Sequence, residues 1–319
     1  MLTRVTRILL LVLLLLSLSL LPSSSLSTVP VPTMSSANSD RTIAITGCNR
    51  GIGLGLVRNL VQHGNTVIAF SRAPYSQELI DISSSSSNGS SGKCLIVELD
   101  VSSSSSHANA LKVLTDKGIS RLDAIIANAG IASKDHPEDP VMYCSEDDMT
   151  DLYRTNVIGT MLTLQSFVPL LCDKGVCVVM SSRLASIEQC VGLGGYLSYR
   201  CSKAALNMLA QTFAEDPMLK QRGIKMLCMH PGWVQTDMGG RNGRKAPVEI
   251  VDSVNGITSV LAVAMSLQTN TDTTTTTTTT STYTSDSSDS RKEMIAAFSE
   301  KFMANNLVFT GFDFELLPF

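Results

Sequence analysis

Residues 42–55 constrain the fold more than any other stretch of the chain. Thr42 to Thr46 reads TIAIT, a short β-branched run that breaks into Gly47-Cys48-Asn49-Arg50-Gly51-Ile52-Gly53-Leu54-Gly55. Beyond it, Leu56, Val57, Leu60 and Val61 recur at helical spacing. The order is strand, glycine turn, helix. Glycines at 47, 51 and 53 let the backbone turn sharply and approach a pyrophosphate, which the unpaired N–H groups and dipole of the helix N-terminus attract.

The same alternation continues downstream. Apolar runs at 66–70, 93–99, 122–127, 175–180 and 224–229 predict five further strands, separated by patterns with helical period. They end at Ser71-Arg72, Asp100-Val101, Asn128-Ala129-Gly130, Ser181-Ser182 and His230-Pro231-Gly232 respectively. Residues 147–171 predict one long helix with Asn156 in its middle. An α/β fold follows, a doubly wound parallel sheet with ligands outside the carboxyl ends of the strands, and the length allows one large domain or two small ones. Ser71-Arg72 offers no carboxylate for a ribose 2′-hydroxyl and one guanidinium. With Arg50 in the glycine turn, two arginines favour a 2′-phosphate, and so NADP(H) over NAD(H).

Composition narrows the remaining classes. Aromatics are 5% of a chain that is 44% hydrophobic, which suits strands buried on both faces better than a β-sandwich. The formal charge of −3 gives no case for a nucleic-acid surface. The eight cysteines show neither Cys-x-x-Cys nor metal-ligand spacing, so no metal site is expected, and Cys94, Cys177 and Cys228 lie in or beside strand-like runs as small buried hydrophobes. Residues 1–39 form a targeting segment and linker: Arg4 and Arg7 precede an apolar run over 8–21, then Pro22 and serines. A secretory-type signal peptide is the first reading, with an organelle transit sequence or an uncleaved membrane anchor as alternatives. Ser- and Thr-rich tracts at 83–91, 102–106 and 271–290 read as low-complexity insertions in surface connections, and Asn88-Gly89-Ser90 is a glycosylation acceptor if the chain enters the secretory lumen.

Tyr199-Arg200-Cys201-Ser202-Lys203 opens another helical run. A four-residue spacing puts the phenol and the ammonium on one helix face. A nearby positive charge favours the phenolate and brings a pKa of about 10 toward working pH, so that the tyrosine can hand a proton to a carbonyl oxygen.

Thr46-Gly47-x-x-x-Gly51-Ile52-Gly53, Asn128-Ala129-Gly130, Asn156, Ser182, Tyr199-x-x-x-Lys203 and Pro231-Gly232, in that order, resemble the short-chain dehydrogenase/reductase family. His230-Pro-Gly-Trp-Val-Gln-Thr-Asp-Met-Gly239 and the glycine turn resemble its C-factor and sniffer-like carbonyl reductase branch. The resemblance covers residues 41 to about 265 and a tail at 306–319. It implies a single Rossmann-type domain over residues 40–319 and an NADP(H)-dependent oxidoreductase of a small ketone, aldehyde or quinone-like carbonyl. Tyr199 is then the general acid and base, Lys203 its tuning charge and ribose ligand, Ser182 a hydrogen-bond donor to the substrate oxygen, and Asn156 the holder of a water that links Lys203 to solvent. Gly47, Asn49, Arg50, Gly51, Ile52, Gly53, Arg72, Asp100, Val101, Asn128, Ala129, Gly130, Pro231, Gly232, Val234 and Thr236 would line the cofactor. Ser182 stands seventeen positions before Tyr199, where the family often has thirteen, the place of Ser186, so Ser186 stays an alternative. Homodimers are common in this fold, and a membrane is expected only through residues 1–39. The alternative function is an NADP(H)-binding sensor of the same fold with little turnover.

Overall fold

A computed structural model of the protein describes residues 40–86, 92–133, 141–190, 195–240, 243, 245–269 and 289–319. The expected targeting segment at 1–39, the expected acceptor Asn88 and most of the tract at 271–290 lie outside the described residues.

Seven parallel strands form one sheet in the order β3-β2-β1-β4-β5-β6-β7. They are β1 Thr42–Thr46, β2 Thr66–Ser71, β3 Lys93–Glu98, β4 Leu122–Ala127, β5 Leu171–Met180, β6 Lys225–His230 and β7 Leu307–Gly311. The chain runs outward from β1 to β3, then crosses back to lay β4 on the free side of β1, with Ile45 beside Ile126. That reversal opens a crevice at the carboxyl ends of β1 and β4, where Gly47 and Asn128 stand.

Both faces of the sheet are covered, which explains the nearly unbroken apolar strands. Ile43 and Ile45 of β1, Val176 and Val178 of β5 and Leu227 and Met229 of β6 pack on one side with helices α1 (Gly51–Gln62), α8 (Ile250–Thr269) and α9 (Asp289–Ala304). Ala44, Cys177, Val179, Met226 and Cys228 alternate to the other side, against α3 (Ser104–Asp116), α5 (Gly159–Phe167), α6 (Leu197–Ala214) and the short α7 (Pro217–Gln221). Helix α8 is long and apolar enough to cross a membrane, and most of it is buried. All eight cysteines are free thiols, with Cys94, Cys177 and Cys228 buried.

Three expectations need correction. The helix expected over 147–171 is instead α4 (Glu146–Leu152), a π-helical turn (Tyr153–Ile158), α5 and a 3₁₀ turn (Val168–Leu170). Strand β5 begins at Leu171, which pairs with Leu122 across a register irregularity, rather than at Gly175. The serine tracts are partly helical: Ser83 and Ser85 lie in α2 (Gln77–Ser86), bonding the carbonyls of Cys94 at 2.9 Å and Asp81 at 2.8 Å. Ser103 caps α3 by accepting from the Ser106 amide at 3.2 Å.

Candidate functional site

The glycine turn is closed tightly upon itself. Gly47 takes a φ of +74° and donates to the Phe70 carbonyl at 2.9 Å. A Cβ on Gly53 would lie 2.2 Å from the Gly47 oxygen, so no side chain fits there. Asn128 Nδ2 donates to the carbonyls of Thr46 at 2.9 Å and Gly47 at 3.3 Å, and the Ala129 amide donates to Thr46 Oγ1 at 3.0 Å. These bonds cross the β1–β4 crevice and set its floor. Helix α1 starts at Gly51 with no side-chain cap and no acidic residue in its first turn, which leaves its N-terminus suited to an anion.

Asn49 ties this turn to the loop beyond β2. Its Nδ2 donates to the Pro74 carbonyl at 3.0 Å and its Oδ1 accepts from the Ser76 amide at 2.6 Å. Arg72, in that loop, is exposed. Asp100 accepts from the Ser102 hydroxyl at 2.7 Å and its amide at 2.9 Å, and these bonds, aided by the charge of Arg72, hold its carboxyl below the ordinary range. Val101 sits against Gly159, whose added Cβ would lie 3.0 Å from it, and Ile52 packs partly buried on the α1 side of the core. Arg50 turns toward the segment after β6: its Nη1 meets Asp237 Oδ2 at 2.9 Å. In this structure the Arg50 guanidinium is engaged by that carboxylate.

The segment after β6 forms the opposite wall. Pro231 accepts from the Ser253 hydroxyl at 2.6 Å, Gly232 takes a φ of +88° with Phe312 against it, and the buried Val234 bridges Val248. Thr236 comes so close to the glycine turn that its methyl would lie 3.3 Å from a Cβ on Gly51.

Four polar side chains meet across β5, the π-turn and α6. Asn156 is fully buried in the π-turn. Its Oδ1 accepts from the Ile131 amide at 2.8 Å, and its Nδ2 donates to the Ile131 carbonyl at 3.0 Å and to Ser202 Oγ at 3.1 Å. The extra residue of a π-turn re-aims a side chain that a regular helix would point elsewhere. Gly130 marks the point of convergence, since a Cβ there would stand 3.1 Å from Asn156 Oδ1 and 3.5 Å from Lys203 Nζ. Lys203 is buried, donates to the Met180 carbonyl at 2.7 Å, and lies 5.7 Å from the Tyr199 ring centroid.

Burial governs the ionisation of this group. It pushes Lys203 down to about 8 and Tyr199 up to about 12, with a hydrogen bond to Ser182 pulling the phenol partly back. Burial thus moves the phenol in the direction opposite to the one expected of the ammonium. Tyr196, just before α6, adopts a left-handed conformation at φ 56°, a costly choice for an aromatic residue that ends the preceding loop abruptly.

The two candidate serines occupy different environments. Ser182 ends β5, accepts from the Leu184 amide at 3.1 Å and lies near enough to the Tyr199 phenol to pull its pKa down. Ser186 caps the next turn, accepting from the Gln189 amide at 3.2 Å. Residues that sequence reasoning overlooked include Ser202, which receives Asn156 and donates to the Tyr199 carbonyl at 2.8 Å, and Thr46. The signal for Ser202 was its place between Tyr199 and Lys203 on the same helix.

Residues 41–246 match the model of the short chain dehydrogenase family. The short-chain dehydrogenase RED3 of Pyricularia oryzae is 29% identical over 232 residues, covering 70% of this chain and 90% of that protein. Among solved structures, an NADPH-bound carbonyl reductase from chicken fatty liver is 28% identical with a TM-score of 0.65, covering 88% of this chain and all of that one. The carbonyl reductase Sniffer of D. melanogaster shares the fold at 24% identity and a TM-score of 0.63, again covering 88% of this chain and all of its own. With the family pattern matched over most of its folded length, this chain belongs to the short-chain dehydrogenase/reductases, NAD(P)-dependent oxidoreductases.

Proposed function

We propose that the protein is an NADP(H)-dependent reductase of a small ketone, aldehyde or quinone-like carbonyl, with Tyr199 as general acid. The observation that carries this reading is the meeting of Ser182, Tyr199, Lys203 and Asn156 at the carboxyl end of β5, beside the β1–β4 crevice. The crevice suits a dinucleotide: Gly47 and Gly53 let the turn close tightly against the end of β4, where any Cβ would collide, and α1 presents an uncapped N-terminus to a pyrophosphate. Gly47, Asn49, Gly51, Ile52 and Gly53 would hold the phosphates, Asp100 and Val101 the adenine, and Asn128, Ala129 and Gly130 the central part of the cofactor. Pro231, Gly232, Val234 and Thr236 would face the nicotinamide, and the carbonyl reductase of known structure that carries NADPH shares this framework. When bound, NADPH supplies the hydride.

The chain's own residues supply geometry and the proton. Ser182 donates to the substrate oxygen as negative charge develops on it, and Tyr199 transfers its phenolic proton to the same atom. Lys203 stabilises the phenolate left behind. Asn156, held by Ile131 and Ser202, keeps the route from Lys203 toward solvent open for proton replacement. Arg72 and Arg50 select the 2′-phosphate, and Arg50 must leave Asp237 to do so.

The test is nucleotide binding by residues 40–319, with turnover of a carbonyl panel followed by NADPH absorbance. NADPH should bind at least about tenfold tighter than NADH, some 1.4 kcal/mol, and Arg50→Ala or Arg72→Ala should erase that preference. Tyr199→Phe should abolish turnover and keep NADPH binding. Tight NADPH binding with no turnover of any carbonyl by the parent protein would overturn the reductase reading in favour of a sensor.

A further inference from the structure

The hydroxyl of Ser182 is aimed by a turn that a distant piece of chain holds in place. Its oxygen accepts from the Leu184 amide at 3.1 Å. An oxygen occupied in this way directs its own hydrogen outward, so the shape of the turn Arg183–Ala185 decides where Ser182 donates. Two contacts tether that turn to residues 312–319. Arg183 pairs with Glu315, and Ser186 Oγ donates to the Phe319 carbonyl at 3.5 Å.

Glu315 is a firm anchor. Its carbonyl accepts from the Gly311 amide at 2.8 Å and from Thr310 Oγ1 at 3.0 Å, and its amide reaches Asp313 Oδ1 at 3.3 Å. Phe314 and Leu317 are buried on either side of it. The side chains of Arg183 and Glu315 are both close to half exposed, so their pairing adds little to global stability. An exposed ion pair that stabilises little, placed one residue from the reacting hydroxyl, can still fix a rotamer.

We infer that Glu315 is a positioning residue for Ser182, acting through Arg183 and the turn that follows β5. The kinetic consequence rests on the reductase reading; the structural consequence does not.

The experiment compares wild type, Glu315→Gln, Ser182→Ala and the double variant in the full chain. It combines steady-state kinetics on a reduced carbonyl, NADPH titration, thermal melts and amide hydrogen exchange at Leu184 and Ala185. Glu315→Gln should lower kcat about tenfold, a modest share of what misplacement of a reacting group costs, with NADPH affinity and melting temperature unchanged. It should cause no further loss in the Ser182→Ala background, and Glu315→Asp should restore most of the rate. Exchange at Leu184 and Ala185 should quicken while that of α6 stays the same. A loss of kcat that adds fully to that of Ser182→Ala would overturn the inference, because the carboxylate would then act by another route. If wild type turns over no carbonyl, the reductase reading falls and exchange alone decides; unchanged protection at Leu184 in Glu315→Gln then refutes the tether.

Discussion

Lys203 should cost the protein stability at neutral pH. Its ammonium is buried and meets the Met180 carbonyl at 2.7 Å, and burial sets its pKa at about 8 against an ordinary 10.5. At about 1.4 kcal/mol per tenfold, that difference amounts to roughly 3 kcal/mol. The sign follows from proton counting: between these two values the unfolded chain binds the proton and the folded chain does not, so stability rises with pH across the window. The penalty is complete below pH 8 and gone above about 10.5. About 2 kcal/mol of it should be recovered between pH 7 and pH 9.5, below the range where Tyr199, pushed up to about 12, contributes a term of opposite sign. Lys203→Met removes this dependence. It also leaves the Met180 carbonyl without its donor, a loss of about 1–3 kcal/mol that does not vary with pH. The informative quantity is thus the difference between urea-unfolding curves of wild type and Lys203→Met at the two pH values, rather than either alone. Wild type should gain about 2 kcal/mol relative to the variant on going to pH 9.5. A difference that stays flat would refute the picture of a charged lysine buried at a cost.

Other perturbations separate scaffold from chemistry. Gly53→Ala drives a methyl to within 2.2 Å of the Gly47 oxygen, so nucleotide binding by fluorescence titration should be lost together with part of the thermal stability. Ser182→Ala should lower kcat about a hundredfold, whereas Ser186→Ala, which removes a turn cap and the longer of the two tethers to the C-terminal segment, should lower the melting temperature and cost kcat far less than Ser182→Ala does. Lys225 Nζ bonds the carbonyls of Met303 and Asn305, each at 2.9 Å, at the end of α9. Lys225→Met should therefore lower unfolding free energy by about 1–2 kcal/mol with NADPH affinity unchanged, as denaturant titration will report.

The legible parts of the fold were those with strong local periodicity. Strands β1 and β4 fall where TIAIT and residues 122–127 placed them, because they are short, apolar and bounded by glycine or small polar residues. Strand β7, LVFTG, is buried throughout yet its sequence marks only a tail, since nothing local distinguishes it from a core segment of any kind. Serine repeats misled for a related reason. Their composition suggested loops, but Ser83 and Ser85 bond main-chain carbonyls and stay within α2. The π-turn at Asn156 carries no local signature either; it depends on Ile131 and Ser202, which reach Asn156 from other elements. At the candidate site, spacing along one helix was legible and contacts between elements were not. Tyr199 and Lys203 share a helix face as their spacing requires, whereas the hold of Asp237 on Arg50 and of Glu315 on Arg183 joins residues too far apart in sequence for any window to see.

The places where local rules fail are themselves informative. Asn156 sits inside a helix, where a polar amide is disfavoured, and the helix widens to a π-turn around it. Lys203 is buried with a carbonyl rather than a carboxylate against its ammonium. Tyr196 holds a left-handed backbone three residues before Tyr199. Each feature is unfavourable alone, and sequence-level reasoning about stability would remove all of them. Yet Asn156 and Lys203 converge on Gly130, while Tyr196 begins the helix that carries both Tyr199 and Lys203. Left-handed backbone also occurs at Asp40, Lys174 and Phe314, so the weight of the argument falls on the buried amide and ammonium that meet at Gly130. Their convergence where the crevice meets β5 is what a preorganised site requires, because groups that must be desolvated and aimed before the substrate arrives can only be held there against local preference.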